Sequence, residues 1–390
     1  MTVTHLRPEP ALRRARAATS AIFAVHGAVT GTFAARVPWV ADHVGAGAGA
    51  LGLALLMPGL GALLAMPVSG RLAHRFDLRQ LVRVLILFWC AALLLPALPT
   101  NVPLLCLALV VYGATAGLAD VAMNAHAVLV EERYGRSVMS GLHGWWSVGG
   151  LGGSAVAAFA ARAGVDAPPH FLLTAAGLIV IALVASTGLL SHRPEPSADE
   201  PPAFALPSRA VLTIGLVGLC AVFAEGASLD WSAVYVRDLL HSPASTAAAT
   251  VSIFSVCMAV ARFGGDWVVR RLGSVTTVRI SGVCATIGAL IVVLGDRTAL
   301  VITGFGLLGI GIAVVVPLVF AAAGRLPGQT GRNIAGVAGI AYGSGLIAPG
   351  VIGGIAHLSS LTVSFILIVA LVAVMGLSAP VLRRGSSKSL

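Results

Sequence analysis

Charge is scarce in this chain. Only 10% of its 390 residues are Asp, Glu, Lys or Arg, against roughly 25% in soluble globular proteins. A fold facing water on every side could not cover its surface with so little charge, whereas a fold facing lipid needs no such cover. Lysine is nearly missing: of 25 basic residues one is Lys388 and the other 24 are arginine. These lie in short gaps between apolar runs, with no patch of interleaved aromatics, so the formal charge of +10 does not mark a nucleic-acid protein. The five cysteines, Cys90, Cys106, Cys220, Cys257 and Cys284, sit inside apolar runs without metal-ligand spacing and read as small buried residues. The glycine-rich stretch at 45–49 lacks the Gly-Lys-Ser/Thr of a phosphate loop, and there is no HExxH. ATP-driven pumping and metallohydrolase chemistry therefore have no support, and neither an enzyme nor a cofactor or metal is expected. No cleavable secretory signal is expected either.

Hydrocarbon fills the chain instead. It is 57% hydrophobic, with a mean hydropathy of +0.95. The apolar runs predict helices over 18–40, 47–70, 80–98, 103–129, 138–161 and 171–190, then 210–235, 247–269, 275–294, 298–320, 334–356 and 361–381. Each is near the roughly 20 residues that cross a hydrocarbon core. They must be helical because lipid offers the backbone no hydrogen-bond partner, and they lack the short alternation of a β-barrel. A polar stretch rich in proline and acid runs from Ser191 to Pro207. It divides the chain into a first bundle over 1–190, a cytoplasmic linker over 191–209 and a second bundle over 210–390.

Basic residues set the orientation. With both termini cytoplasmic, that side collects the tail arginines Arg7, Arg13, Arg14 and Arg16. It also takes the second-loop set Arg71, Arg75, Arg79 and Arg83, and the groups at 133–136, 193–209, 262–279, 325–332 and 383–388. The total is 21 residues, and the far side keeps only Arg36, Arg162, Arg237 and Arg297. Such a split follows the positive-inside rule and supports an even number of crossings. A multi-pass protein of the cytoplasmic (inner) membrane is expected, its surroundings the lipid bilayer.

The halves echo one another. Gly70, Arg71 and Arg75 end the second helix before Asp77; Gly265, Asp266, Arg270, Arg271 and Gly273 end the eighth. This short basic turn resembles the signature of the major facilitator superfamily, although His74 stands where that family usually has aspartate. Gly117-Leu118-Ala119-Asp120-Val121-Ala122-Met123-Asn124 resembles the fourth helix of its fucose-permease-like bacterial group. Leu142-His143-Gly144-Trp145-Trp146-Ser147-Val148-Gly149-Gly150 resembles that group's fifth. The resemblance implies an all-α membrane protein with twelve transmembrane helices in two pseudo-symmetric six-helix bundles. It also implies proton-coupled uptake of a small sugar-like solute by alternating access, and a monomer is expected. An exporter of drugs or metabolites, or a non-transporting receptor of the same fold, are the alternatives.

Asp120 is the first candidate for proton coupling, because a carboxylate deep in an apolar run is costly and normally faces the protein interior or water. No basic residue stands three or four positions from it, and Asn124 shares its helical face. Glu225, inside the seventh run, is the second. For the solute the candidates are His26 and Thr30 on the first helix, Asn124, His143 and Trp146, Trp231 beside Asp230, and Tyr342. Gly27 and Gly31, and Gly149 and Gly153, have the spacing that lets helices approach closely. Gly70, Arg71, Arg75, Asp266 and Arg271 are the candidate gating residues of the cytoplasmic loops. Arg36, near the outer mouth, attracts an anionic solute or snorkels to the interface.

Overall fold

The computed structural model describes residues 9–46, 48–193 and 207–385. Among them the regular structure is entirely helical. The chain divides into two compact units, Met1–Glu200 and Pro201–Leu390; much of the expected linker, 194–206, lies outside the described residues.

Unit 1 is built from α1 (Pro10–Ala34), the short α2 (Val37–His43), α3 (Ala48–Arg75), α4 (Leu78–Ala92), α5 (Val102–Tyr134), α6 (Met139–Arg162) and α7 (Ala167–Ser186). Unit 2 holds α8 (Arg209–Leu239), α9 (Ala244–Leu294), α10 (Thr298–Ile312), α11 (Val315–Gly324), α12 (Thr330–Leu358) and α13 (Leu361–Leu377). Ten stretches of the described residues are long and apolar enough to cross a membrane. One of them, α9, is two helices joined at Gly273, whose φ of 75° and ψ of 162° only glycine adopts readily. α6 is absent from the ten; glycines and His143 dilute its hydropathy, yet it is 24 residues long. Counting α9 twice and adding α6 gives twelve segments, six in each unit, with α10 and α11 forming one interrupted segment.

Side-chain caps mark where several helices begin. Asn101, Ser208 and Ser360 each accept a backbone N–H from the first turn of α5, α8 and α13. Asp77 does the same for α4 through Gln80 and also accepts the Ser191 hydroxyl at 2.6 Å. Partial burial would raise the Asp77 carboxyl, but those hydrogen bonds outweigh it and hold it below its ordinary value. Its contribution is therefore complete above the usual carboxylate range and is lost only as pH falls through the lowered value. Cytoplasmic pH leaves it ionised. The Leu78 N–H donates to the His192 carbonyl, and Arg79 donates to the carbonyls of Ser186 and Thr187. The chain leaving α7 is thus tied to the loop between α3 and α4.

Glycine sets the helix spacing inside unit 1. A side chain at Gly27 or Gly31 would strike the backbone of Trp146 or Gly150, and one at Gly149 would strike Ala24. α1 and α6 therefore touch backbone to backbone. Gly61, Gly113 and Gly117 bring α3 and α5 together in the same way.

One pattern of cross-helix hydrogen bonds recurs in both units. Ser154, on the fifth segment of unit 1, donates to the Gly31 carbonyl of the first at 3.0 Å. Ser344, on the fifth segment of unit 2, donates to the Leu219 carbonyl of its first at 3.1 Å. The second segment likewise donates to a carbonyl of the fourth: Ser69 to Leu118 at 2.7 Å, and Arg262 to Ala313 at 3.3 Å. The repeat read from loop charge is therefore also present in the packing.

Candidate functional site

In unit 1 the expected residues converge where α1, α4, α5 and α6 meet. The close approach at Gly27 lets Trp146 reach across, and its indole N–H donates to His26 Nδ1 at 3.0 Å. An indole can only donate, so Nδ1 is an acceptor and the proton of the neutral ring lies on Nε2. Nε2 in turn faces the Ala116 carbonyl at 3.4 Å. The His26 ring stacks on Trp89, centroids 5.1 Å apart, and the Trp89 indole donates to the His26 carbonyl at 3.2 Å. Tyr112 lies 4.5 Å from Trp89 and Phe33 4.9 Å from Tyr112. Thr30 donates back to the His26 carbonyl within its own helix.

Ala116 is one helical turn before Asp120, so the carbonyl that His26 addresses is also the helix acceptor for the Asp120 N–H. Asp120 is 8% exposed and Asn124 is fully buried. The Asn124 amide donates to the Asp120 carbonyl at 2.9 Å and to its Oδ1 at 3.2 Å. Asn124 Oδ1 has no hydrogen-bond partner among the described residues. His26, Trp146, Asp120 and Asn124 thus form one neighbourhood. His143 is buried and packs edge-on against Phe23, centroids 5.3 Å apart.

In unit 2, Glu225 is paired. Arg262 approaches its two carboxylate oxygens at 3.3 and 3.4 Å; the Arg262 side chain is 6% exposed and that of Glu225 23%. Arg262 was grouped above with the cytoplasmic loop charges; it is instead buried and turned toward Glu225, which lowers that tally from 21 to 20 without changing its sense. Its Nε also meets Ala313, where the segment of α10 and α11 is interrupted. Trp231 lies over Gly353 of α12, and its indole N–H is buried without a partner among the described residues. Asp230 beside it is exposed. Tyr342 packs edge-on against Phe320 at 6.0 Å. Among the loop residues, Gly70, Arg71 and Arg75 close α3. Asp266 is buried in α9, and the Arg271 guanidinium lies 5.8 Å from the centre of the exposed Trp267 ring.

The burial of two basic residues was not read from the sequence. Arg36 neither snorkels nor faces the mouth openly: it is 5% exposed and donates to the Val165 carbonyl. His126 is fully buried. Its Nδ1 meets the Thr19 hydroxyl at 3.2 Å and its Nε2 accepts the Leu190 N–H at 3.0 Å. The Thr19 hydroxyl is already donated to Ala15, so Nδ1 carries the proton and His126 pins α1 and the end of α7 to α5. Both contacts join residues distant in the chain, which no local pattern announces.

Comparison with known proteins gives this arrangement its family. Residues 19–348 match the model of the Major Facilitator Superfamily. An uncharacterized transporter of Sinorhizobium fredii is 36% identical over 93% of this chain and 96% of its own length. An uncharacterized MFS-type transporter of Yersinia pestis is 35% identical over 89% and 90%. The fold is that of the Escherichia coli fucose:proton symporter FucP, with a TM-score of 0.71 at 16% identity over 93% of this chain and 97% of that one. In its outward conformation FucP superposes with a TM-score of 0.78. Among the described residues no three His, Cys, Asp or Glu side chains gather as metal ligands. A family match along most of the chain, on twelve segments whose two units repeat one packing scheme, identifies this multi-pass inner-membrane protein as a secondary transporter of the major facilitator superfamily.

Proposed function

We propose that the transporter couples proton movement to uptake of a small, sugar-like polar solute, with Asp120 carrying the proton and the His26–Trp146 pair positioning the solute beside it. The observation that carries this reading is a buried carboxylate, Asp120, one helical turn along α5 from the Ala116 carbonyl that an imidazole with both ring nitrogens engaged addresses from α1. His26 holds Trp146 by Nδ1 and faces Ala116 by Nε2. The nearby Asp120, bonded to Asn124, is the group that can change charge as a conformational cycle exposes it to each side. Aromatic faces and amide groups suit a solute with both apolar ring faces and hydroxyls. Likeness in fold to a fucose:proton symporter supports the same direction.

Glu225 is the second carboxylate of this proposal, with a different role. Glu225 meets the same guanidinium whose Nε reaches the Ala313 carbonyl, so loss of the carboxylate charge would weaken the tie that runs from α8 through Arg262 to the interrupted segment. The unit 2 pair is therefore read as a latch on the interrupted fourth segment, and Trp231 and Tyr342 as solute contacts. The cytoplasmic-loop residues Gly70, Arg71, Arg75, Asp266 and Arg271 are read as the gate.

Asp120→Asn tests the central claim. It preserves side-chain size and most hydrogen bonding but cannot titrate. In proteoliposomes that report solute flux and internal pH together, the variant should bind and exchange solute while losing solute-driven proton movement. Undiminished uphill, proton-coupled transport by Asp120→Asn would reject Asp120 as the carrier. A wild type that moves protons outward-in only while expelling solute would establish the exporter alternative.

A further inference from the structure

A groove within unit 1 lies apart from Asp120 and Asn124, neither of which lines it. α6 and α7 both pack against α1 but scarcely against one another, and the gap between them is a cavity of about 760 Å³. Its floor is a stripe of alanines on α1, from Ala17 through Ala21 and Ala24 to Ala28. Gly149, Gly152 and Gly153 of α6 keep one wall low, and Leu178 and Ile181 of α7 form the other. Val156 and Ile181 along it are exposed, as surfaces that face hydrocarbon are. From Arg16 to Ala28 the groove follows α1 for about 18 Å at the usual helical rise. That is close to the depth of one leaflet, roughly half of a 30 Å core.

The two ends of the groove differ chemically. One end is apolar. At the other stand Arg13 and Arg16, with Tyr134 between α5 and the groove. The Arg16 guanidinium lies 5.6 Å from the centre of the Tyr134 ring. Arg136 lies 4.8 Å from the same ring and donates to its hydroxyl at 3.2 Å. Tyr134 thus gathers two guanidiniums close to Arg13, and no carboxylate lines the groove. By the distribution of basic residues this end faces the cytoplasm, the side on which anionic lipid headgroups attract basic clusters.

We infer that the α1–α6–α7 groove binds an anionic phospholipid of the cytoplasmic leaflet. Its phosphate lies between Arg13 and Arg16 beside Tyr134, and one acyl chain lies along the alanine stripe. A soluble organic anion would match the arginines but leave an 18 Å apolar trough uncovered. A neutral lipid would fill the trough but leave the guanidiniums unmatched. An anionic amphiphile satisfies both.

The glycine geometry supplies a direct test. Gly152 has open space where a side chain would project, so Gly152→Leu fills the groove without disturbing the α1–α6 contact. Arg13→Gln with Arg16→Gln removes two charges at the mouth and leaves the trough intact. The full chain is purified from membranes supplied with equal phosphatidylglycerol and phosphatidylcholine, and retained lipid is counted by native mass spectrometry. Wild type should retain phosphatidylglycerol preferentially. The double arginine variant should lose about thirtyfold of that preference, and Gly152→Leu should retain neither lipid. Unaltered melting temperatures in lipid-free detergent show that the losses are not unfolding. Equal retention of both lipids by wild type, or a preference unchanged in both variants, overturns the inference. So does efficient crosslinking in membranes between Thr4→Cys and Gly152→Cys, which would put the chain's own N-terminus in the groove.

Discussion

The ion pair between Glu225 and Arg262 offers the sharpest energetic test, because its geometry and burial are both unfavourable to a solitary charge. At 3.3 Å the gross attraction is roughly 5 kcal/mol for an effective dielectric of about 20. Desolvating both groups offsets much of that, and the contacts are long for charge-assisted hydrogen bonds, so the net worth of the pair is modest. Breaking it is another matter. Arg262 is 6% exposed and would remain buried with its charge facing a neutral group, a situation that costs about 3 kcal/mol. Removing Arg262 instead leaves Glu225, more accessible at 23%, and also abandons the Ala313 carbonyl.

Glu225→Gln and Arg262→Gln should each destabilise the purified protein by about 3 kcal/mol. The double variant should cost about 4 kcal/mol rather than the roughly 6 kcal/mol of independent sites, a coupling near 2 kcal/mol. Reversible unfolding in mixed detergent micelles, followed by tryptophan fluorescence, gives all four corners of the cycle. Single-variant losses that add to within about 0.5 kcal/mol would show that the two side chains do not sense one another, and the latch assigned to unit 2 would fall with them.

Much of the architecture was legible because a bilayer imposes one length and one polarity on every crossing. The predicted boundaries at 103–129 and 334–356 fall inside α5 (Val102–Tyr134) and α12 (Thr330–Leu358). The helices overrun them because polar residues such as Glu131 and Arg133 at the end of α5, and Arg332 at the start of α12, continue the helix past the apolar run. The first helix was misjudged at both ends: it begins at Pro10 and stops at Ala34, with Val37–His43 forming a separate helix after Arg36 turns inward. Positions of polar residues were legible, whereas their partners were not. An isolated Asp120 is visible in a string of apolar letters; the Ala116 carbonyl one turn away becomes meaningful only when His26 arrives from another helix. Arg262 shows the same limit from the opposite side. A cation near the cytoplasmic third of a hydrophobic run reads identically whether its stem reaches the interface or turns inward. Only the location of Glu225 on the facing helix decides between them. The useful signal was there, namely an acid on one helix and a base inside another, but pairing them requires knowing that α8 and α9 are neighbours.

The glycine contacts of unit 1 predict opposite outcomes for similar changes. Gly31→Val should cost 3 kcal/mol or about that, because the new atoms meet the Gly150 backbone, whereas Gly152→Ala, with open space, should be neutral or stabilising by up to about 1 kcal/mol; melting temperatures of the two variants separate them. Trp231→Phe keeps the ring over Gly353 and removes only the unpartnered indole N–H; solute affinity should fall about tenfold if that N–H serves the solute, and unchanged affinity by calorimetry would make Trp231 a packing residue. The last prediction concerns the proton on His26. The Trp146 indole is a donor with no acceptor capacity, so its 3.0 Å bond requires an unprotonated Nδ1. Nitrogen-15 spectra of histidine-labelled protein in nanodiscs should therefore show the Nε2–H tautomer at position 26, assigned by its loss in His26→Gln. Trp146→Phe withdraws the donor and should let the Nδ1–H form appear, at a cost of about 1 kcal/mol of stability. The glycine contacts between α1 and α6 are untouched by that change, so the ring stays where it is while its hydrogen bonding is released. A wild-type spectrum with the proton on Nδ1 would contradict the Trp146 contact itself, and with it the proposal that the His26–Trp146 pair is held fixed beside the solute.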